Sequence, residues 1–323
     1  MQRGPDPGEV HGDHLMNEQL PFVSVIVPVY NGERHIGNCI RSLLALNYPP
    51  SKIEIIIVDN NSKDATHRII REFPVISLIE NRIQSSYAAR NAGIKKSRGE
   101  ILAFTDSDCV ADKDWIAKAV EQFQDEHIGC VAGEIEGYSP SNYIEEYLVR
   151  KSVLSHSEGT LKHWYLPYAQ TANAIYRKEV FEAVGPFEEN WVSAGDTDLT
   201  WRMLLHTEYK LIFCKDALIY HVHRSSLKGY FKQRMTWGHG EVLLYKKYNV
   251  HYHNPVRDSG GVILMDYGEF FHLVIGKLPA MLYHKLISKN EMFFQDKKLT
   301  MIGTLGRRIG RIKGSIRENI FYI

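Results

Sequence analysis

The sequence predicts an α/β fold: a mostly parallel central sheet with flanking helices, followed by a C-terminal helical tail. Three observations carry this. Near-continuous apolar runs at Phe22–Val29, Ile53–Val58 and Ile101–Thr105 read as strands buried on both faces. Segments with helical spacing separate them, so strand and helix alternate about every 20–25 residues, the rhythm of right-handed βαβ units. The runs at 53–58 and 101–105 stop at carboxylates, at the strand ends where open α/β sheets place their ligands.

Taken in order, Phe22–Val29 is the first strand, and Asn31-Gly32 turns the chain. A helix follows with Ile36, Ile40, Leu43 and Leu44 on one face, stopped by Tyr48-Pro49-Pro50. The second strand ends in Asp59-Asn60-Asn61-Ser62. Lys63–Phe73 fits a helix, Val75–Ile79 a third strand and Ser86–Lys96 another helix. The next strand runs into Thr105-Asp106-Ser107-Asp108. Residues i and i+2 of an extended strand point the same way, so Asp106 and Asp108 are expected to offer two hard oxygen groups to one divalent cation. Asp112–Phe123 is amphipathic, with Trp115, Ile116, Ala119, Val120 and Phe123 on one side and Asp112 as its cap.

Composition narrows the function. With 323 residues and 44% hydrophobic content, the chain can bury a full core. A formal net charge of +1 excludes the global basic field of a nucleic-acid binder. The four cysteines, Cys39, Cys109, Cys130 and Cys214, form no Cys-x-x-Cys pair, which suits a reducing compartment and argues against structural zinc. Residues 1–20 read as a flexible polar leader without the apolar core of a signal peptide, and His11 and His14 as solvated. Phe270–Ile287 is the nearest approach to a membrane span, but His272, Lys277, Pro279, His284 and Lys285 interrupt it. A cytoplasmic protein is expected. The first strand is followed by Tyr30-Asn31-Gly32-Glu33, with no Gly-x-Gly-x-x-Gly and no P-loop, so a dinucleotide oxidoreductase is excluded. The glycine-rich loop of a sugar nucleotidyltransferase is missing too.

Four segments then fall into place together. Val-Ser-Val-Ile-Val-Pro-Val-Tyr-Asn-Gly-Glu (23–33), Ile-Ile-Ile-Val-Asp-Asn-Asn-Ser-Lys-Asp (55–64), Ala-Ala-Arg-Asn-Ala-Gly (88–93) and Phe-Thr-Asp-Ser-Asp (104–108) resemble successive motifs of family 2 glycosyltransferases. The likeness runs from about residue 22 to about residue 245. It implies a GT-A domain over 21–250, a nucleotide-sugar donor and inversion at the anomeric centre, with 251–323 as a helical extension. It places Pro28, Tyr30 and Glu33 beside the nucleotide base and ribose. The alternative there is a plain strand-to-helix turn, with Glu33 favouring a helix N-terminus. Asp59 is expected on the base and Asp64 in a turn or cap. Arg90 supplies positive charge near the diphosphate or the aspartates. Asp106, Ser107 and Asp108 complete the donor side around Mg²⁺ or Mn²⁺.

For the second half, the resemblance implies an acceptor wall beginning at Asn173. Ser193-Ala194-Gly195-Asp196-Thr197-Asp198-Leu199 is similar to the family's Glu-Asp-x-Asp-Leu segment, with Gly195 where Glu is commoner. Asp196 then stands at the general base, which must take the acceptor hydroxyl proton opposite the leaving group. Asp198 is the fallback, or the cap of a helix over Leu199–His206. His221 matches a third metal ligand and His223 is second in line; a structural role is the alternative for both. Gln233-Arg234-Met235-Thr236-Trp237 resembles the Gln-x-x-Arg-Trp element of processive synthases, except that Thr236 replaces its arginine, which implies transfer of one sugar. Trp237 stacks on an acceptor sugar or packs in the core of a helix over Ser225–Tyr248.

In the tail, Leu305, Ile309, Ile312, Ile316 and Ile320 recur at helical spacing beside Arg307, Arg308, Arg311, Lys313 and Arg317. Such a helix lies in an anionic membrane interface, here the inner face of the plasma membrane, or packs on the catalytic domain or a second subunit. The expected partners are a UDP-sugar and a glycan or lipid-linked acceptor, with no nucleic acid. The departures at Gly195 and Thr236 leave open a non-catalytic nucleotide-sugar or glycan-binding scaffold.

Overall fold

The structure is a computed structural model that describes residues 20–250 and 291–322. His11, His14 and the Phe270–Ile287 run lie outside the described residues. Among those described, no helix is long and apolar enough to cross a membrane.

Two compact units divide the chain. The first joins residues up to Ile135 with Ala169–Glu189 and Arg202–Tyr220; the second joins Glu136–Tyr168, Asn190–Trp201 and the residues from His221 onward. In the first, β1 (Val23–Val29), β2 (Ile53–Asp59), β3 (Ile76–Ile79) and β4 (Ile101–Thr105) run parallel. The sheet continues through β5 (Cys109–Ala111), β6 (Ile128–Gly137), β7 (Asn173–Arg177) and β8 (Lys210–His221). Its order is β3-β2-β1-β4-β7-β6-β8-β5, with β7 antiparallel to both β4 and β6. The sheet is mixed and mostly parallel. Every residue of β1 and β4 is buried, as their unbroken apolar runs require.

Helix α1 (Ile36–Leu44) buries Ile36, Cys39, Ile40 and Leu43, while Leu44 turns outward. Helix α2 (Thr66–Ile70) is shorter than the expected Lys63–Phe73, because Asp64 accepts from the Thr66 amide and hydroxyl and holds residues 63–65 in a turn. Helix α3 (Ser86–Lys96) starts on Ser85, whose hydroxyl accepts from Tyr87 N–H. It lies close on β1, where a Cβ at Gly93 would come within 2.5 Å of Ile26 Cγ2. Helix α4 (Trp115–Val120) buries Trp115, Ile116, Ala119 and Val120, and Phe123 is buried in the next turn. Its cap position is Asp114 and not Asp112, whose carboxylate accepts from the Asp114 amide. Helix α6 (Lys178–Val184) follows β7.

The second unit contains α5 (Tyr143–Arg150), the first turns of α7 (Gly195–His206), α8 (Leu227–Tyr248) and α9 (Glu291–Glu318). Ser226 caps α8 by accepting from Gly229 N–H. Helix α9 packs along α8, but not by the apolar positions that its spacing suggests. Gly303, Gly306, Gly310 and Gly314 are buried instead, and a Cβ on Gly310 would strike the Met235 carbonyl. Glu241 of α8 accepts from both Arg307 and Arg311 at this seam. Periodicity finds a helix here; which face it buries is decided by how near two backbones can come.

Candidate active site

The residues expected on the donor side stand at the carboxyl ends of β1, β2 and β4 in the first unit, except Arg90, which is on α3. Tyr30 is 51% exposed, its ring uncommitted to the core that takes in Pro28. Asn31 and Asn61 have φ of 50° and 64°, a region that asparagine tolerates better than most residues. Their loops are stitched together by side chains. Asn31 N–H donates to Ser62 Oγ, Gly32 N–H to Thr66 Oγ1 and Glu33 N–H to Asp64 Oδ2. In return Glu33 Oε2 accepts from Ala65 N–H at 3.0 Å and Asn31 Oδ1 from Lys63 N–H at 2.8 Å. Glu33 thus braces the loop; one of its oxygens is already engaged.

Asp59 is buried at the end of β2. Its Oδ1 accepts from Ser62 N–H at 3.0 Å, and its Oδ2 lies 3.6 Å from His67 Nδ1. Sequence reading missed His67, because a lone histidine inside a short helix carries no motif. Asn60 donates to the carbonyls of Glu80 and Ile83 at 2.8 Å each, tying the loop after β2 to the one after β3.

Strand β4 stops at Thr105. Asp106-Ser107-Asp108 forms a tight turn closed by Cys109 N–H donating to the Asp106 carbonyl at 3.0 Å. The expectation that the two carboxylates share one face of an extended strand is therefore corrected. Asp106 instead accepts from Arg90 at 2.5 Å. Arg90 is buried, as the small residues around it allow, and its guanidinium also sits 5.6 Å from the Tyr87 ring centroid. The turn packs against the loop after β1, where a Cβ at Gly32 would lie 3.5 Å from Ser107 Oγ. Burial, with Asp108 and then Asp106 beside it, pushes the Cys39 thiol up, and the Cys109 thiol rises from the same three causes. Both thiols stay protonated and pack as small apolar groups. β5 and β8 are neighbours in the sheet, with Asp112 N–H donating to the Leu218 carbonyl at 3.1 Å. Asp108 immediately precedes β5, and His221 is the last residue of β8.

Asn173 does not face an acceptor. It is 0% exposed, accepts from Trp115 Nε1 at 2.7 Å, and donates to the carbonyls of Glu134 and Ala217 at 2.7 and 2.8 Å. Both amide hydrogens are used, so the side chain joins β6, β7 and β8 to α4 and has no donor to spare. A cavity of 880 Å³ lined by Tyr48, Glu100, Phe123 and Arg177 opens at the amino ends of β1 and β4, the opposite edge of the sheet. None of the candidate site residues lines it.

In the second unit, Asp196 is half-buried in the first turn of α7, its Oδ1 accepting from Thr197 N–H at 3.0 Å. Two residues earlier Ala194 has φ of 65°, which costs an L side chain about 1–2 kcal/mol. The Ser193-Ala194 loop is backed by α8, where a Cβ at Gly240 would come within 2.9 Å of Ser193 Cβ. Asp198 is not the cap of a helix over Leu199–His206, since α7 begins at Gly195. It is 0% exposed and holds Tyr248 Oη and Lys247 Nζ, each at 2.7 Å. Around this pair stand Trp191, 5.6 Å from Lys247 Nζ, then Trp201 and Tyr165. These rings are spread along the sequence and show no spacing that would have gathered them. His221 and His223 are buried with ring centroids 5.2 Å apart. Trp237 is half-buried with the Arg234 guanidinium 5.0 Å from its ring.

Comparison with known proteins identifies the family and the fold. The family model described as Glycosyl transferase family 2 matches residues 24–185. Glycosyltransferase AglE of Haloferax volcanii is 35% identical over 236 residues, 71% of this chain and 76% of that protein. A dolichyl N-acetyl-alpha-D-glucosaminyl phosphate 3-beta-D-2,3-diacetamido-2,3-dideoxy-beta-D-glucuronosyltransferase of Methanococcus voltae is 24% identical, over 71% of this chain and 75% of that one. Among solved structures, mannosyltransferase PcManGT of Pyrobaculum calidifontis, in complex with GDP-Man and Mn²⁺, superposes with a TM-score of 0.62. It shares 19% identity, covering 92% of this chain and 88% of that one. TarS of S. aureus with UDP-GlcNAc gives a TM-score of 0.53 at 17% identity, covering 94% and 93%.

Proposed function

This chain belongs to glycosyl transferase family 2, and we propose that it moves one sugar from a nucleotide-sugar donor to a hydroxyl of a glycan or lipid-linked acceptor, inverting the anomeric centre. The observation that carries the reading is the Arg90–Asp106 pair beside Asp108, at the turn that ends β4. A buried guanidinium and carboxylates at a strand tip suit a diphosphate and its counter-ion.

The donor set fits Mg²⁺ or Mn²⁺. Asp108, and Asp106 through the oxygen not engaged by Arg90, would hold the ion. Such a cation, when bound, neutralises charge on the leaving nucleoside diphosphate. Tyr30 stacks on the base and Asp59 accepts from a base N–H, with Glu33 reaching the ribose by its second oxygen. Ser107 borders the same turn. Asp196 takes the acceptor hydroxyl proton as the new glycosidic bond forms and the bond to the diphosphate breaks. The donor class is supported by the neighbours solved with GDP-Man and with UDP-GlcNAc, which differ in base and sugar but share the diphosphate. Thr236, in place of the arginine found in processive synthases, supports single transfer.

The test is a donor panel with Mn²⁺ on wild type and Asp196→Asn. The variant is expected to keep donor protection in a thermal-shift assay and to lose about 10²–10⁴-fold in transfer. Wild-type turnover in Asp196→Asn would remove Asp196 as the base. Tight nucleotide binding with no turnover of any donor by the wild type would instead assign the chain a scaffolding role.

A further inference from the structure

Helix α9 turns two different faces to its surroundings, and the sorting of side chains between them is steep. The inward face is the glycine row, with Leu299 and Ser315. Two of its carboxylates, Asp296 and Glu318, are engaged by other elements of the second unit. Asp296 accepts from Tyr143 and, at 2.6 Å, from Arg150, and Glu318 accepts from Lys246 at 2.9 Å with His239 at 3.6 Å. The outward face carries Leu305, Ile312 and Ile316, which are 43, 46 and 77% exposed, and Phe321, just past the helix end, is 73% exposed. Lys313 and Arg317 are exposed beside them. No acidic residue lies between Leu305 and Arg317.

A single exposed aliphatic residue needs no explanation, but a row at helical spacing does. From Leu305 to Ile316 the row is roughly 16 Å long at 1.5 Å per residue. We propose that this outward face of α9 lies on an anionic lipid surface, with Leu305, Ile312, Ile316 and Phe321 entering the acyl boundary and Lys313 and Arg317 meeting the headgroups. The charge decides between occupants. A second copy docking by the same face would bring Lys313 and Arg317 against their own counterparts, with no carboxylate on that face to meet them. Anionic headgroups complement both. The face lies along the surface and does not cross it, since no described helix is long and apolar enough to span. The inference stands on α9 alone and does not depend on sugar transfer.

The experiment is sedimentation of the full chain with vesicles of phosphatidylcholine alone and of phosphatidylcholine with phosphatidylglycerol. Binding is expected only to the anionic vesicles and to fall as salt is raised. Lys313→Glu/Arg317→Glu should weaken it about tenfold or more, and Leu305→Ser/Ile312→Ser/Ile316→Ser should weaken it independently. All five side chains are at the surface, and an unchanged thermal melt would establish that the variants fold. Anionic-vesicle binding that both variants retain would overturn the proposal, as would equal binding to neutral vesicles. So would a concentration-dependent dimer in sedimentation velocity that the aliphatic substitutions abolish, because the face would then belong to a second copy.

Discussion

Arg90 Nη2 donates to Asp106 Oδ1 across 2.5 Å, from a side chain 4% exposed to one 33% exposed. The pair fixes the end of β4 to α3, so one carboxylate of the turn has a structural partner. Asp106→Ala would leave the Arg90 charge buried without its partner. The expected cost is about 2–4 kcal/mol, below the cost for a fully buried pair because one partner is partly solvated. Urea denaturation measures it; a midpoint unchanged from wild type would show that water replaces Asp106 freely.

Asp198 has the same kind of commitment in the second unit. Asp198→Ala removes the shared acceptor of Lys247 and Tyr248 from a fully buried position, with an expected loss of about 3 kcal/mol. Asp198→Asn keeps an acceptor for the Tyr248 hydroxyl and should lose less. Equal destabilisation by both would mean that the charge of Asp198 matters and its hydrogen bond to Tyr248 does not.

Ala194 tests whether the backbone before Asp196 is held under strain for a purpose. Glycine accepts φ of 65° without penalty, so Ala194→Gly should raise stability by up to about 1 kcal/mol after the entropy of the added glycine is subtracted. Turnover should fall if the strained loop aims Asp196. A thermal melt and an initial rate on the same sample separate the two effects.

The acid limb of stability follows from Glu318. The hydrogen bond from Lys246 holds its carboxyl below the usual 4.5, with His239 adding to the effect against the opposing influence of burial. Because the folded value lies below the unfolded one, this contribution is complete above about pH 4.5 and is lost as the pH falls through the folded value. Glu318→Gln should therefore melt below wild type at neutral pH and converge with it in acid. Parallel melting curves at every pH would exclude this linkage.

The parts legible in the sequence were those written in local pattern. β1, β2 and β4 announce themselves by unbroken apolar runs, and α4 with the turn after it by five apolar positions on one face. The carboxylates at the strand ends were legible for the same reason. What escaped was set by partners distant in sequence. Asp106, just past the strand, is held by Arg90, sixteen residues earlier. Asn173 is consumed by Trp115, Glu134 and Ala217, which no spacing links to it. Helix α9 shows the limit most plainly: hydrophobic period located the helix, but the buried side was chosen by glycines, which carry no hydrophobic signal at all.

That choice bears on the near-neutral balance of 39 basic and 38 acidic residues. A total close to zero says little about attraction at short range when one helix draws Asp296 and Glu318 toward α5 and α8 and leaves Lys313 and Arg317 on its outer rim. Within about a Debye length of that rim, some 8–10 Å, a partner meets a positive strip and not an averaged molecule. Tallying charge over the whole polypeptide thus predicts long-distance behaviour correctly while missing where it would first touch something negative.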